Sequence, residues 1–113
     1  MVHFWASWCP ECKEELPVLE RAIRDCSKEK GVRIMVVNVG ESTDEARRFL
    51  EREGSALPLL RDPEGAVWRT LARGLPANVL WTREGRRTDV GPKSPAAWKS
   101  LFQGLGCQAT PTR

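Results

Sequence analysis

Trp8-Cys9-Pro10-Glu11-Cys12 stands between an apolar run, Met1-Val2-His3-Phe4-Trp5-Ala6, and a helical pattern that begins at about Pro10. Two cysteines two residues apart at a strand-to-helix junction read as a redox pair. The placement has a physical reason. The first turn of a helix carries unpaired N–H groups and the positive end of the helix dipole, so an anion is favoured there. A Cys9 thiolate is such an anion, and thiols in such positions ionise with a pKa of about 3.5–7.5 instead of about 8.5. Cys12, one turn further in, is expected to be the more buried thiol and the one that resolves a mixed disulfide. Pro10 sets φ at the first helical position, where its missing N–H costs nothing.

The rest of the chain bounds what surrounds this pair. Its 113 residues suit one domain with one core. The composition, 41% hydrophobic and 29% charged, is that of a globular protein. Eighteen basic and fifteen acidic side chains give a net charge of +3, spread along the chain. That pattern reads as a solvated surface and not as a nucleic-acid stripe. No apolar run reaches the roughly 18 residues that span a bilayer, and no leader pattern precedes the first strand. Four cysteines, Cys9, Cys12, Cys26 and Cys107, allow two pairs, and an even count in a small domain leans toward an oxidising compartment.

From Pro10 to about Lys30 the pattern is helical: Cys12, Leu16, Leu19, Ile23 and Cys26 recur at spacings of three and four. Pro17 is expected to kink this helix near Lys13, and Gly31 to stop it. Residues 32–39 read as the most convincing strand, β-branched and bounded by glycines. Ser42 with Glu45 forms a capping-box pattern for a second helix running to about Glu53. Strand, helix, strand, helix implies parallel strands. Leu57-Pro58-Leu59-Leu60 reads as a short edge strand, 62–65 as a turn, and 66–72 as a short helix. Residues 78–82 and 87–90 form a hairpin around 83–86. A last helix opens at Ser94 or Pro95 and runs to about Gln103, with Ala97, Trp98, Leu101 and Phe102 as its apolar side. The domain is expected over 1–107, with 108–113 a flexible tail.

The residues around the cysteines admit competing readings. Cys9 and Cys12 could form half of a zinc site, but no second closely spaced pair of soft ligands exists, so no metal is expected. Glu11, between the cysteines, should disfavour a neighbouring thiolate, and Lys13 should partly offset it; the plainer reading of both is a solvated helix start. The charge of Glu11 favours a reducing over a strongly oxidising protein. Trp5 reads as core and Trp8 as apolar docking surface, while Trp68, Trp81 and Trp98 read as packing.

Phe4-Trp5-Ala6-Ser7-Trp8-Cys9-x-x-Cys12-Lys13-x-Glu15-x-Pro17 resembles the active-site region of thioredoxin-like proteins, most of all the membrane-associated TlpA/ResA/DsbE type. Residues 74–81, Gly-Leu-Pro-Ala-Asn-Val-Leu-Trp, resemble the second signature of that family. The resemblance implies an α/β thioredoxin-like fold: a central mixed sheet flanked by helices, with an extra strand–helix unit in residues 57–72 and an N-terminus shortened relative to the family. It implies that Pro76 is cis and lies against the cysteines, leaving the Leu75 backbone open to pair with an incoming peptide. It also places His3 beneath the pair, where thioredoxins carry Asp and the TlpA type Asn. Two readings of His3 stand: a buried neutral side chain satisfied by a neighbour, or a proton acceptor for Cys12. The first and last helices of such a fold finish at the same end. Cys26 and Cys107 are therefore candidates for a structural disulfide, worth about 4 kcal/mol in the chain-entropy model, against the alternative of two thiols.

The activity implied is a thiol–disulfide oxidoreductase with no cofactor, in which Cys9 attacks and Cys12 resolves. By resemblance, the partners are disulfide-bearing proteins, apocytochrome c among them, and an upstream dithiol reductant. The setting is periplasmic or extracytoplasmic, with any membrane anchor outside this chain, and the protein is expected to be a monomer. Two rivals are a thiol peroxidase, which needs a peroxidatic cysteine in a Pro/Thr-bearing loop that Ala6-Ser7-Trp8 does not supply, and a redox-inactive binding module, against which the intact cysteine pair argues.

Overall fold

The computed structural model describes residues 1–26 and 33–105. Five strands form one sheet in the order β3-β2-β1-β4-β5. In chain order the elements are β1 (Val2–Trp5), α1 (Pro10–Asp25), β2 (Met35–Val39), α2 (Thr43–Arg52), β3 (Leu60–Asp62), α3 (Ala66–Leu71), β4 (Ala77–Thr82), β5 (Gly85–Val90) and α4 (Pro95–Gly104). β1 pairs parallel with β2 and antiparallel with β4. β2 pairs parallel with β3, and β4 antiparallel with β5. This is the mixed, helix-flanked sheet that the sequence led us to expect.

Alternation along the strands assigns the layers. Trp5 and Val36 face one side, where Leu16 and Leu19 of α1, Ala46, Phe49 and Leu50 of α2, and Trp98 and Phe102 of α4 close over them. Phe4, Val37, Val39, Ala77 and Val79 face the other, covered by Trp68 and Leu71 of α3. Three helices thus shield one face and one two-turn helix the other. Trp81 follows Ala77 and Val79 on that second face but lies past the cover and is half exposed, beside Arg86 of β5. The packing role expected of Trp81 is therefore not met, whereas Trp98 is fully buried and Trp68 partly.

Several boundaries move for local reasons. α1 ends at Asp25, and Cys26 turns extended with φ −80° and ψ 127°. The expected stop at Gly31 lies outside the described residues. β2 begins at Met35 because its partner β1 begins at Val2, the residue opposite. β3 comprises 60–62, not 57–60. The residues before it do not pair, since Pro58 has no N–H and the Leu57 N–H is taken by Ser55 Oγ at 3.2 Å. β3 is an edge strand, as expected. The hairpin is tighter than expected: Thr82 pairs with Gly85 across a two-residue turn, so Gly85 and Arg86 join the strand. The Ser42–Glu45 capping box forms in full. In α4, capped by Ser94, Trp98 and Phe102 are buried and Ala97 is exposed. The tail 108–113 lies outside the described residues.

Candidate active site

The carboxyl end of β1 and the amino end of α1 meet at Cys9. Cys9 is the N-cap: its backbone is extended, with φ −95° and ψ 107°, and its sulfur accepts the Cys12 N–H at 3.2 Å. One of the unpaired donors of the first turn is thus aimed at the sulfur. The Cys9 carbonyl accepts from Lys13 N at 3.1 Å and its own N–H bonds Ala6 O at 3.2 Å, so the turn is closed on both sides. Cys9 and Cys12 form a disulfide, with Cα atoms 5.2 Å apart. Cys12 is fully buried and Cys9 nearly so, while Trp8, just before it, is 66% exposed. Pro10, Glu11 and Lys13 are all exposed. Water and salt screen the charges of Glu11 and Lys13, which weakens their hold on the sulfurs.

The Leu75–Pro76 peptide is cis. Phe4 lies opposite Ala77, so Pro76 stands beside the end of β1 that leads to Cys9. Pro76 is buried and its carbonyl accepts from Gly91 N at 2.8 Å, whereas Leu75 is partly open. Cys107 lies outside the described residues, so its pairing with Cys26 is not described. None of the described cysteines is a free thiol.

One turn along α1 from Cys12, Glu15 joins a buried polar cluster, a member that the apolar reading of the helix passed over. His3 is fully buried, with Nδ1 2.8 Å from Asn78 Oδ1. Its Nε2 faces Glu15 Oε1 at 3.7 Å, beyond hydrogen-bond range, and neither atom has another partner. Trp98 stands edge-on to the imidazole, with ring centroids 5.8 Å apart. Burial holds the His3 imidazole down to about 4, against a smaller upward pull from Asn78, so it is neutral at pH 7. Burial raises the Glu15 carboxyl above the usual range; the Lys93 N–H at 2.5 Å, the Trp98 indole and the Lys93 charge oppose this, and Glu11 adds to it. With Asn78 oriented as it is, Nδ1 donates and the Nε2 lone pair points at the Glu15 carboxyl. Glu15 was legible in principle: it is three residues past Cys12 and four before Leu19, inside the buried stripe Cys12, Glu15, Leu16, Leu19.

A second buried carboxylate, Glu41, reaches the site from the end of β2. Its Oε1 accepts from Ser7 N at 2.7 Å and from Asn38 Nδ2 at 2.8 Å, and its Oε2 accepts from Ser7 Oγ. The sequence offered no sign of it beyond a charge two residues past a strand. Among the described residues, no group of three or more His, Cys, Asp or Glu could hold a metal ion.

Comparison with known proteins agrees with this geometry. The model described as the AhpC/TSA family matches residues 1–85. Thiol-disulfide oxidoreductase ResA of Geobacillus thermodenitrificans is 31% identical over 86 residues, covering 75% of this chain and 49% of that protein. Thiol:disulfide interchange protein DsbE of Allochromatium vinosum is 34% identical over 109 residues, covering 91% of this chain and 57% of its own length. The chain therefore spans about half the length of the curated relatives it matches. A Chlorobium tepidum crystal structure described as a thiol:disulfide interchange protein DsbE superposes with a TM-score of 0.74 at 30% identity, covering 92% of this chain and 74% of that one. MTB dsbF superposes at 0.77 with 21% identity, covering 92% and 78%, a likeness of fold alone. A cysteine pair capping α1, the mixed sheet behind it and these matches agree: this chain belongs to the AhpC/TSA family, among its thioredoxin-like members of the TlpA/ResA/DsbE type.

Proposed function

We propose that this chain is a thiol–disulfide oxidoreductase that works as a reductant of partner proteins. The observation that carries the reading is the Cys9–Cys12 disulfide at the start of α1, with the Cys9 sulfur receiving a first-turn N–H. In the reduced protein the same donor and the helix dipole favour a Cys9 thiolate. That thiolate attacks a partner disulfide, forming a mixed disulfide and releasing one partner thiolate. Cys12 then attacks the Cys9 sulfur, the second partner thiol leaves, and Cys9–Cys12 closes. Two electrons pass to the partner, and an upstream dithiol protein returns them; no cofactor takes part.

Cys12 must lose a proton to attack, and it is buried. The Glu15 carboxyl, one turn along α1, with His3 behind it, is the proton acceptor in this reading, which gives His3 its function through Glu15. Trp8 and Leu75 supply the apolar docking surface, with Pro76 setting the course of the chain behind them. Pro10, Glu11 and Lys13 tune the helix start weakly. The partners are disulfide-bearing proteins in an extracytoplasmic, for example periplasmic, compartment, with apocytochrome c among the candidates, and the unit acts as a monomer. Among the described residues no helix is long and apolar enough to cross a membrane. Cys26 and Cys107 form the second, structural disulfide; two alkylatable thiols there, seen by mass spectrometry without reductant, would exclude it.

Insulin reduction with dithiothreitol tests the activity. The wild type is expected to hasten precipitation of the insulin B chain and Cys9→Ser to leave it at the uncatalysed rate. Equal rates for the two proteins would overturn the assignment.

A further inference from the structure

Ser7 occupies the bend between β1 and the cysteine pair, so whatever grips Ser7 sets where Trp8 and Cys9 stand. Glu41 grips it twice, at the amide through Oε1 and at the hydroxyl through Oε2. The carboxylate is itself fixed. Asn38, directly opposite Trp5 in the β1–β2 ladder, donates to Oε1. The Arg61 guanidinium of β3 holds the Glu41 carbonyl through Nε at 3.3 Å and Nη2 at 3.1 Å. The next residue, Ser42, caps α2. The end of β1, the strands β2 and β3 and the start of α2 thus meet at one residue, which is buried to 6% exposure. Arg61 holds the main chain and not the carboxylate, so both oxygens stay free to accept from Ser7 and Asn38. A buried carboxylate is costly unless it is hydrogen-bonded, and here three donors engage its two oxygens.

We propose that Glu41 is a positioning residue for thiol exchange: its clasp on the Ser7 amide and hydroxyl fixes the turn that sets the Cys9 sulfur over the first turn of α1. The proposal rests on the oxidoreductase reading for its consequence but not for its test. Without the clasp, the segment 6–8 is tied to β2 only through backbone pairing that ends at Trp5. The sulfur then samples positions away from the Cys12 N–H, and the thiolate loses part of its stabilisation.

Charge and geometry can be separated here. In Glu41→Gln the carbonyl oxygen can keep the Ser7 N and Asn38 Nδ2 bonds, and the new NH₂ can donate to Ser7 Oγ, so the clasp survives without the charge. In Glu41→Ala it is gone. The readout is the rate of Cys9 alkylation by iodoacetamide in the reduced protein, followed from pH 4 to 9 with the modified site assigned by mass spectrometry. No partner disulfide is involved, so the result stands whatever the insulin assay gives.

Glu41→Ala is expected to move the alkylation profile to higher pH and to slow the reaction at pH 6 by about fivefold or more, while Glu41→Gln stays within about twofold of the wild type. A role in folding alone would lower the melting temperature without moving the profile. An Ala profile on top of the wild type would overturn the proposal, and so would a Gln variant as damaged as the Ala one, since charge and not the clasp would then be acting. Should the Ala variant fail to fold, Ser7→Ala carries the test: it keeps the amide arm and loses the hydroxyl arm. Its profile is then expected to move in the same direction by a smaller amount, and no movement would refute the clasp.

Discussion

Two buried carboxylates flank the cysteine pair, and they are held in opposite ways. Glu41 sits behind Cys9 with three donors on its two oxygens. Glu15, one turn along α1 from Cys12, has the Lys93 N–H on one oxygen, an imidazole nitrogen 3.7 Å from the other, and the Trp98 indole beside its carboxyl. A carboxylate with donors on both oxygens holds neighbouring groups in place. One left facing a second unpartnered base has room for a proton and a raised affinity for it. Burial alone does not assign a role; the donors within reach do. In the proposed reading one clamps the turn that carries Cys9 and the other receives the Cys12 proton.

The largest effect should come from the sulfur between the two clusters. Cys12→Ser is expected to abolish insulin turnover while leaving the first attack intact, so a Cys9–partner mixed disulfide accumulates and is visible by mass spectrometry. Turnover without Cys12 would remove the reason for a proton acceptor beneath it.

Next is Glu15→Gln, which keeps shape and removes the ionisable group. Stopped-flow tryptophan fluorescence is expected to show resolution slowed on the order of 10²-fold at pH 7. Glu41→Gln, which also deletes a buried charge, should leave that step nearly unchanged. Equal losses in both would mean that the two carboxylates do not differ in their part in resolution.

His3 gives a stability test with a definite sign. Its folded-state value of about 4 lies below the ordinary 6.5, so the folded chain refuses a proton that the unfolded chain accepts. The stability tied to this is complete above pH 6.5 and is lost as pH falls from 6.5 toward 4, by roughly 3 kcal/mol. Glu15 works the other way, since its raised carboxyl favours the fold most at low pH and less as pH rises past 4.5. Urea unfolding at pH 7.5 and 4.5 should therefore show His3→Gln gaining on the wild type at the lower pH. A constant difference would mean that the imidazole is not held neutral.

The smallest effect is expected from Asn38→Ala, which takes one of three donors from Glu41 and costs about 1–2 kcal/mol in urea unfolding. The matching loss beneath Cys12, Asn78→Ala, should cost more, because it strips the His3 ring of its one hydrogen bond. If the two substitutions cost the same, the clusters are not held as differently as their bonds indicate.

How much was legible follows from what each signal depends on. The cysteine pair, the helix that starts on it and the capping box at Ser42 and Glu45 are set by residues within a few positions of one another, so sequence spacing carries them. The hairpin was legible in outline, but its turn length was not, because the register of Thr82 with Gly85 is decided by pairing along the whole of β4 and β5. The strand placed at 57–60 failed for a related reason. Apolar character favours a strand, but an N–H must also find its ladder partner, and the residues opposite β2 proved to be 60–62.

Local sequence carried the cysteine pair, the helix that starts on it and the alternation of strands and helices, because periodicity and capping are local properties of the chain; the mixed sheet came from the family resemblance. Only the tertiary structure decided which charges are buried with the sulfurs. Glu15 meets His3 across 12 positions of the sequence, and Glu41 meets Ser7 across 34. Such meetings depend on how β1, β2 and α1 stack, and the free energy of a buried carboxylate depends on the donors that stacking delivers.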